Sequence, residues 1–142
     1  PIAYAKEWRQ QDKPLVKYLL ENNDKYDKII FDDKAGFIYT SYLFYSALPP
    51  GKFYSTAKRL PDDSEGFSKV VSFDKFEFKD IDWTKDYRQK RTLIITVSSN
   101  KPNEIPPLKA FYYPTRPVVI SVKEQLFAYP VEDIAYVLVE SK

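Results

Sequence analysis

The feature that most constrains the fold is an apolar run in the second half of the chain, TLIITV at residues 92–97. Leu93, Ile94, Ile95 and Val97 form a nearly continuous apolar stretch rather than an alternating one. A strand with one wet face alternates between apolar and polar residues, whereas a continuous run is typical of a central strand buried on both faces. The run therefore predicts a central strand that the rest of the chain must cover.

A helix is predicted early in the chain, over KPLVKYLLENN. Pro14 suits the first helical turn, because its missing N–H would have no partner there. Leu15, Tyr18 and Leu19 follow at i, i+3 and i+4 and form one apolar stripe. The asparagines at 22–23 are plausible stops for this helix.

A strand and a second helix follow directly. YDKIIFDD predicts a short strand centred on residues 29–31. KAGFIYTSYLFYSALPP has an apolar stripe at helical spacing and predicts a helix ended by Pro49 and Pro50, although its β-branched and aromatic content leaves a strand open. The order helix, strand, helix and then several strands predicts a mixed α/β (α+β) fold, with a single mixed sheet and about two helices packed on it.

The remaining segments predict strands. KFYSTAKRL predicts a short strand, and KVVSFDKFEFKDIDW a long strand or hairpin arm. In a regular strand, Phe76 and Phe78 share a face for core packing while Phe73 points the opposite way. KAFYYP and PVVISVKE predict two strands joined through the turn PTRP, and EDIAYVLVESK predicts the last strand.

Composition excludes several kinds of catalytic site. The 142-residue chain contains no His and no Cys, which excludes a catalytic cysteine, a Ser-His-Asp triad and a His/Cys zinc site. A net charge of +2 is too balanced to indicate a nucleic-acid partner. No cofactor and no metal requirement is expected. A small carboxylate-based hydrolase stays open in principle, but Asp62 and Asp63 are adjacent on a loop and do not suggest a pair of acids facing each other across a cleft.

Two neighbouring carboxylates, Asp32 and Asp33, are the first candidate ligand-binding residues, because they end a predicted strand where α/β folds often bind ligands. They could hold a cation or a sugar hydroxyl. The alternative is that they form a turn or cap the helix that follows.

Aromatic residues are the other candidates. Tyr39, Tyr42 and Tyr45 lie in a ring-rich segment that could form a sugar-stacking or lipid-interface surface, or could pack one helix face on the sheet. Trp83 follows a polar bend and is the better candidate for an exposed binding platform, with core packing as the alternative.

The blocks of the chain, taken in order, resemble a known family. They are Tyr26 with Asp27, Gly36, Phe44 with Tyr45, Pro49 or Pro50, and Lys52 with Phe53 and Tyr54, followed by VVSFDKFEFKDIDW, TLIITVSSNKPNE and an aromatic hairpin. This order and spacing resembles the segment near the C-terminus of bacterial membrane glycosyltransferases of the dolichyl-phosphate-mannose–protein mannosyltransferase and aminoarabinose-transferase group. The resemblance covers roughly residues 26–122.

The resemblance implies that residues 1–142 are a single soluble C-terminal domain of a larger membrane protein, exposed on the extracytoplasmic face of the cell membrane. The expected partner is then the protein's own membrane-embedded catalytic domain, and a glycan or protein acceptor could be a second one. In that family the catalytic carboxylate lies between membrane helices and the donor is a polyprenyl-phosphate sugar, so this segment is expected to have no catalytic residue. The alternative is a freestanding carbohydrate- or protein-binding module.

Overall fold

The computed structural model describes residues 9–114, 116–122, 125–131 and 133–142. In chain order the helices are α1 (Asp12–Glu21), α2 (Tyr39–Ser46), α3 (Pro50–Thr56) and α4 (Trp83–Asp86). The strands are β1 (Lys28–Asp32), β2 (Lys58–Arg59), β3 (Val70–Phe73), β4 (Phe76–Lys79), β5 (Thr92–Thr96), β6 (Lys109–Tyr112), β7 (Arg116–Val122), β8 (Gln125–Val131) and β9 (Ile134–Glu140). Short 3₁₀ turns cover Asn23–Lys25 and Asp33–Ala35.

Seven strands form one mixed sheet in the order β2-β3-β4-β1-β5-β9-β6. Strand β1 pairs in parallel with β4 and β5, whereas β5 with β9 and β9 with β6 are antiparallel. The apolar run is the buried strand β5, with Ile94 and Ile95 both fully shielded from solvent. The mixed sheet with helices packed on it confirms the predicted fold class.

The two faces of the sheet are covered by different elements. Side chains alternate along a strand, so Ile95 of β5 faces one side and Ile94 the other. On the Ile95 side, α1, α2 and α3 pack on the sheet through a large aromatic and aliphatic core, which we call the helical face. On the Ile94 side, Trp83 of α4 and Ile105 from the connection after β5 cover a smaller cluster, which we call the opposite face.

The segment with three phenylalanines is a tight hairpin rather than one regular strand. Phe73 of β3 pairs directly with Phe76 of β4, so only two residues turn the chain. Asp74 in that turn has a left-handed φ of 50°, which Asp tolerates better than most residues. The prediction that Phe73 points away from Phe76 and Phe78 was wrong, because the turn brings all three rings into the core of the helical face.

Two further sequence predictions were wrong. KFYSTAKRL is mostly helix: α3 begins at Pro50, and only Lys58 and Arg59 are a strand. Strands β6 and β7 do not form a hairpin together, because β6 pairs with β9 in the large sheet and β7 pairs with β8 in a separate two-stranded sheet. The pairing of β6 with β9 joins strands more than 20 residues apart in the chain, which the local sequence pattern does not reveal.

Candidate functional site

An open groove lies between α2 and α3 and is the strongest candidate for a binding site. It has a volume of about 430 Å³, within the usual range for sites that hold small molecules. We call it the aromatic groove, and its main lining residues are Tyr39, Leu43, Phe44, Phe53, Tyr54 and Arg59.

Local sequence explains why these two helices lie side by side. Helix α2 ends at Ser46 because Ala47 adopts a left-handed conformation, with a φ of 52°. Pro49 is extended, and Pro50 then begins α3, where its fixed φ fits the first helical position. Only three residues join the helices, so α3 begins next to the end of α2.

The aromatic groove is continuous with the core at its base and exposed at its edge. Tyr39 stacks on the buried ring of Phe53, with centroids 5.5 Å apart and planes within 4°. Phe53 in turn packs edge-on against Phe73 of the core at 5.2 Å. At the edge, Tyr54 is 72 % exposed and Phe44 is 55 % exposed. The base of the groove is therefore formed by rings packed on the core, and its edge by the exposed rings of Tyr54 and Phe44.

One cation lines the aromatic groove. Arg59 lies in β2, directly after α3, and is exposed. Within the described residues it makes no ion pair, in contrast to Lys52 of α3, which lies 3.6 Å from the carboxylate of Asp74. The guanidinium of Arg59 is therefore available to an anionic or hydroxylated ligand.

A second groove runs along the other side of α2, between α2 and α1. It has a volume of about 650 Å³ and is lined by Lys13, Pro14, Lys17, Leu20, Glu21 and Tyr45. We call it the lysine groove. The rings of Phe44 and Tyr45 contact each other edge-to-face at 5.0 Å, so the two grooves adjoin across α2.

The three tyrosines predicted as one ring surface have three different surroundings. Tyr39 lines the aromatic groove and Tyr45 lines the lysine groove. Tyr42 lies between them, is only 5 % exposed and packs on Phe76 at 4.4 Å. Helix geometry explains the division, because each step of three residues rotates the side chain by about 60° short of a full turn. Tyr42 belongs to the core, so it cannot present a ring to a ligand.

Asp32 is used within the fold. It is almost fully buried, and its carboxylate accepts hydrogen bonds from Thr96 Oγ1 at 2.7 Å, Asn100 Nδ2 at 2.5 Å and the backbone N–H of Lys34 at 3.0 Å. The bond from Lys34 caps the 3₁₀ turn Asp33–Ala35, which agrees with the turn or cap considered as the alternative from sequence. Asp33 points outward and forms an ion pair with Lys69 at 2.8 Å. The two carboxylates are therefore not brought together at one site.

Trp83 is not the exposed platform that the sequence suggested. It begins α4 after Asp82, whose carboxylate caps the helix by accepting from the N–H of Thr84 at 3.1 Å. The ring is partly buried on the opposite face against Ile94, Ile105 and Val139. Its indole N–H is buried with no hydrogen-bond acceptor among the described residues. It lies on the other side of the sheet from both grooves.

A buried polar cluster centred on Asp12 was not predicted from the sequence. The carboxylate of Asp12 accepts from Arg9 Nε at 2.5 Å, from Ser41 Oγ at 2.5 Å and from the hydroxyl of Tyr136. Arg9 also donates to the carbonyl of Gly36 at 2.9 Å. Burial raises the pKa of Tyr136, and the hydrogen bond to Asp12 raises it further. The hydrogen bonds of this cluster link α1, α2 and β9. Because Asp12 is fully shielded from solvent, a substrate cannot reach its carboxylate.

Asp12 carries no distinguishing signal in the sequence. An acid at the start of a helix ordinarily faces solvent and interacts with the helix dipole. Here the helix begins with this residue turned inward, toward partners 29 and 124 positions away in the chain. Only the tertiary fold reveals these partners.

The described residues contain no group of three or more acidic side chains placed to hold a metal ion. None of the described helices is long and apolar enough to cross a bilayer. No protein family, curated protein or solved structure matches this chain.

Proposed function

We propose that this chain is a non-catalytic extracytoplasmic domain of a polytopic glycosyltransferase that uses a polyprenyl-phosphate sugar donor. Its role is to cap the active site of the membrane-embedded part or to assist recognition of the acceptor. The proposal rests on where the fold puts the sequence blocks that resemble the C-terminal segment of those glycosyltransferases. Tyr45, Pro50, Phe53 and Tyr54 lie in or beside the two grooves, and the SFDKFEF block forms the core beneath them.

The use of the buried carboxylates also supports a non-catalytic role. Asp12, Asp32 and Asp86 are the buried acids among the described residues. Each of them accepts several hydrogen bonds from side chains or backbone groups of the fold. A general acid or base must instead reach a substrate. The two grooves are instead lined mainly by aromatic, aliphatic and cationic side chains.

Membrane fractionation of the native protein tests this proposal. An antibody raised against the printed chain is used to probe cell fractions. We expect a band much larger than 16.7 kDa that stays with the membranes after a high-salt wash and is released by detergent. A soluble band near 16.7 kDa would contradict the proposal.

A freestanding carbohydrate-binding module is the second candidate, favoured by the stacked Tyr39 and Phe53 beside the exposed Tyr54. Aromatic faces bordered by hydrogen-bonding groups suit sugar rings. Calorimetric titration with a panel of glycans tests it, with Tyr54→Ser as the variant and Tyr112→Ser as the control. Binding that is lost only in Tyr54→Ser favours the module. Fluorescence of Trp83 is a poor reporter here, because its ring packs on the opposite face.

A further inference from the structure

The outer surface of the helical layer combines exposed apolar side chains with cations. We define this outer surface as the aromatic groove, the lysine groove and their edges. Leu20 is 45 % exposed at the edge of the lysine groove, while Phe44 and Tyr54 are 55 % and 72 % exposed at the aromatic groove. The Phe44–Tyr45 ring contact joins the two grooves into one surface. Three large, exposed apolar side chains therefore lie on the side of the helices that faces away from the sheet.

The charges on this surface have one dominant sign. Lys13, Lys17 and Arg59 line the two grooves, and Glu21 is the only acid among the lining residues. The carboxylate of Glu21 lies 4.0 Å from the ammonium of Lys17, and both side chains are highly exposed. Such an exposed ion pair is weak, so Lys17 can interact with another anion. The surface therefore complements a negatively charged partner.

We propose that the outer surface docks on an anionic phospholipid bilayer. Tyrosine and phenylalanine rings insert at the level of the headgroups, where one end of a tyrosine is apolar and the other wet. Lysine and arginine at the same depth interact with lipid phosphates, and their aliphatic stems lie along the apolar surface. The inference deepens the proposed function and rests on it in one respect, namely that a domain attached to membrane helices is held close to a bilayer.

Vesicle flotation with the printed 142-residue chain tests the docking. The chain is mixed with vesicles of equal parts phosphatidylglycerol and phosphatidylcholine, or with phosphatidylcholine alone, at low and physiological salt. We expect flotation with the anionic vesicles, weaker flotation at higher salt, and little with phosphatidylcholine alone. No binding to anionic vesicles at low salt overturns the inference, as does equal binding to both vesicle types.

Matched variants locate the docking surface. Replacing both Lys13 and Lys17 by Gln should weaken partitioning about 25-fold, since each cation near an anionic surface contributes about five-fold. The control pair Lys85→Gln and Lys90→Gln, in and after α4, should change it less than about three-fold. The four lysines are exposed, so all variants should fold as the parent does, which circular dichroism checks. Equal weakening by the two pairs contradicts the assigned surface.

The absence of Cys from the chain allows a direct measurement of insertion. Tyr54→Cys and Tyr112→Cys each carry a single thiol for an environment-sensitive fluorophore. Tyr112 is the control because it is 48 % exposed on β6, at the other edge of the sheet from β2. We expect a blue shift on addition of anionic vesicles only for the label at position 54. A shift only at position 112, or at neither position, overturns the inference.

The two proposals can fail separately. A chain that does not bind vesicles, from a native protein that is membrane-embedded, would overturn the docking and leave the proposed function standing. A chain that binds vesicles, from a native protein that is small and soluble, would overturn the proposed function and support bilayer docking alone. If the chain self-associates through Tyr54 in sedimentation and does not bind vesicles, the surface is an interface between copies and the docking is wrong.

Discussion

The two faces of the central sheet are closed in different ways. On the helical face, three helices bury a continuous set of rings, in which Phe31 stacks on Phe37 at 4.3 Å and on Phe78 at 5.1 Å. On the opposite face, a four-residue helix and a proline-rich connection cover a few aliphatic side chains and leave Trp83 partly exposed. Strand β5 contributes equally to both, with Ile95 and Ile94 equally buried.

This difference shows where the aromatic residues of the chain are used. Most of the core rings lie on the helical face, and the same three helices carry the two grooves on their outer side. A rigid ring-filled layer beneath the grooves holds Tyr39 and Phe53 in place without help from a ligand. The opposite face closes the core through a smaller cluster of side chains.

The largest effect is expected from removing a ring at the centre of the helical face. Phe31→Ala should lower the free energy of unfolding by about 3–5 kcal/mol. The buried ring of Phe31 contacts the rings of Phe37, Phe76 and Phe78, so its removal leaves a cavity that they cannot fill. Urea denaturation measures the loss. The control is Phe44→Ala, whose exposed ring should cost less than about 1 kcal/mol. Similar losses in the two variants would contradict the division between inner and outer rings.

A second comparison uses one buried carboxylate from each face. Asp12→Asn should destabilise the chain by about 3 kcal/mol, since the charge of Arg9 and the hydroxyls of Ser41 and Tyr136 lose a carboxylate partner in the interior. Asp86→Asn should cost about half as much. Asp86 also accepts from Lys79 at 3.1 Å and Gln89 at 2.9 Å, but the Lys79 side chain is 34 % exposed and can turn to water.

Thermal and urea unfolding of the two carboxylate variants check this order. Asp24→Asn serves as an exposed control and should be nearly neutral. If Asp86→Asn proves the more damaging change, the opposite face is held by its polar contacts more firmly than we infer.

Alkaline pH should weaken the helical face through its buried tyrosines. Burial raises the pKa of Tyr42 to about 12, and the carboxylate of Asp74 adds to the shift. The folded chain therefore keeps a proton that the unfolded chain releases near pH 10. The stabilisation is fully present below pH 10 and is lost as the pH rises toward 12, by about 1.4 kcal/mol per pH unit.

The matched variant for the alkaline effect is Tyr42→Phe. Lysines also titrate in this range, so the quantity to follow is the difference in unfolding free energy between the parent chain and the variant at pH 9, 10 and 11. We expect that difference to be constant up to pH 10 and then to shift in favour of the variant. A difference independent of pH would show that Tyr42 reaches solvent.

Parts of this fold were predictable because the signal is local. The stripe of Leu15 and Leu19 predicts α1, and the apolar runs predict β1 and β5, since burial on one or both faces imposes those periods. The turn between β3 and β4 lacks the Gly or Asn that usually marks a two-residue turn, so the sequence predicted one long strand or a single hairpin arm and missed the hairpin within the segment. Helix α3 was missed because its aromatic residues favour strands, and packing of Phe53 on the core overrides that preference.

The candidate site was predictable only in part, for similar reasons. Tyr39 and Tyr45 could be selected from their density of rings, but the rotation along α2 that sends Tyr42 inward depends on where the helix meets the sheet. Arg59 was not predicted as a site residue, because a cation after a short aromatic segment is common in protein sequences. Its place in the aromatic groove depends on the preceding helix α3, which the sequence pattern did not reveal.

The smallest effect is expected at Trp83, on the opposite face. Trp83→Phe removes an indole N–H that is buried with no acceptor among the described residues, which relieves a desolvation cost. It also removes part of a ring that packs on Ile94, Ile105 and Val139. The two changes oppose each other, so we expect a net change in unfolding free energy within about 1 kcal/mol, measured by urea denaturation. Trp83→Ala should cost clearly more, because it removes the packing entirely. A loss of several kcal/mol in Trp83→Phe would mean that the indole N–H has a partner, and that the opposite face is tied together by polar contacts as the helical face is by Asp12.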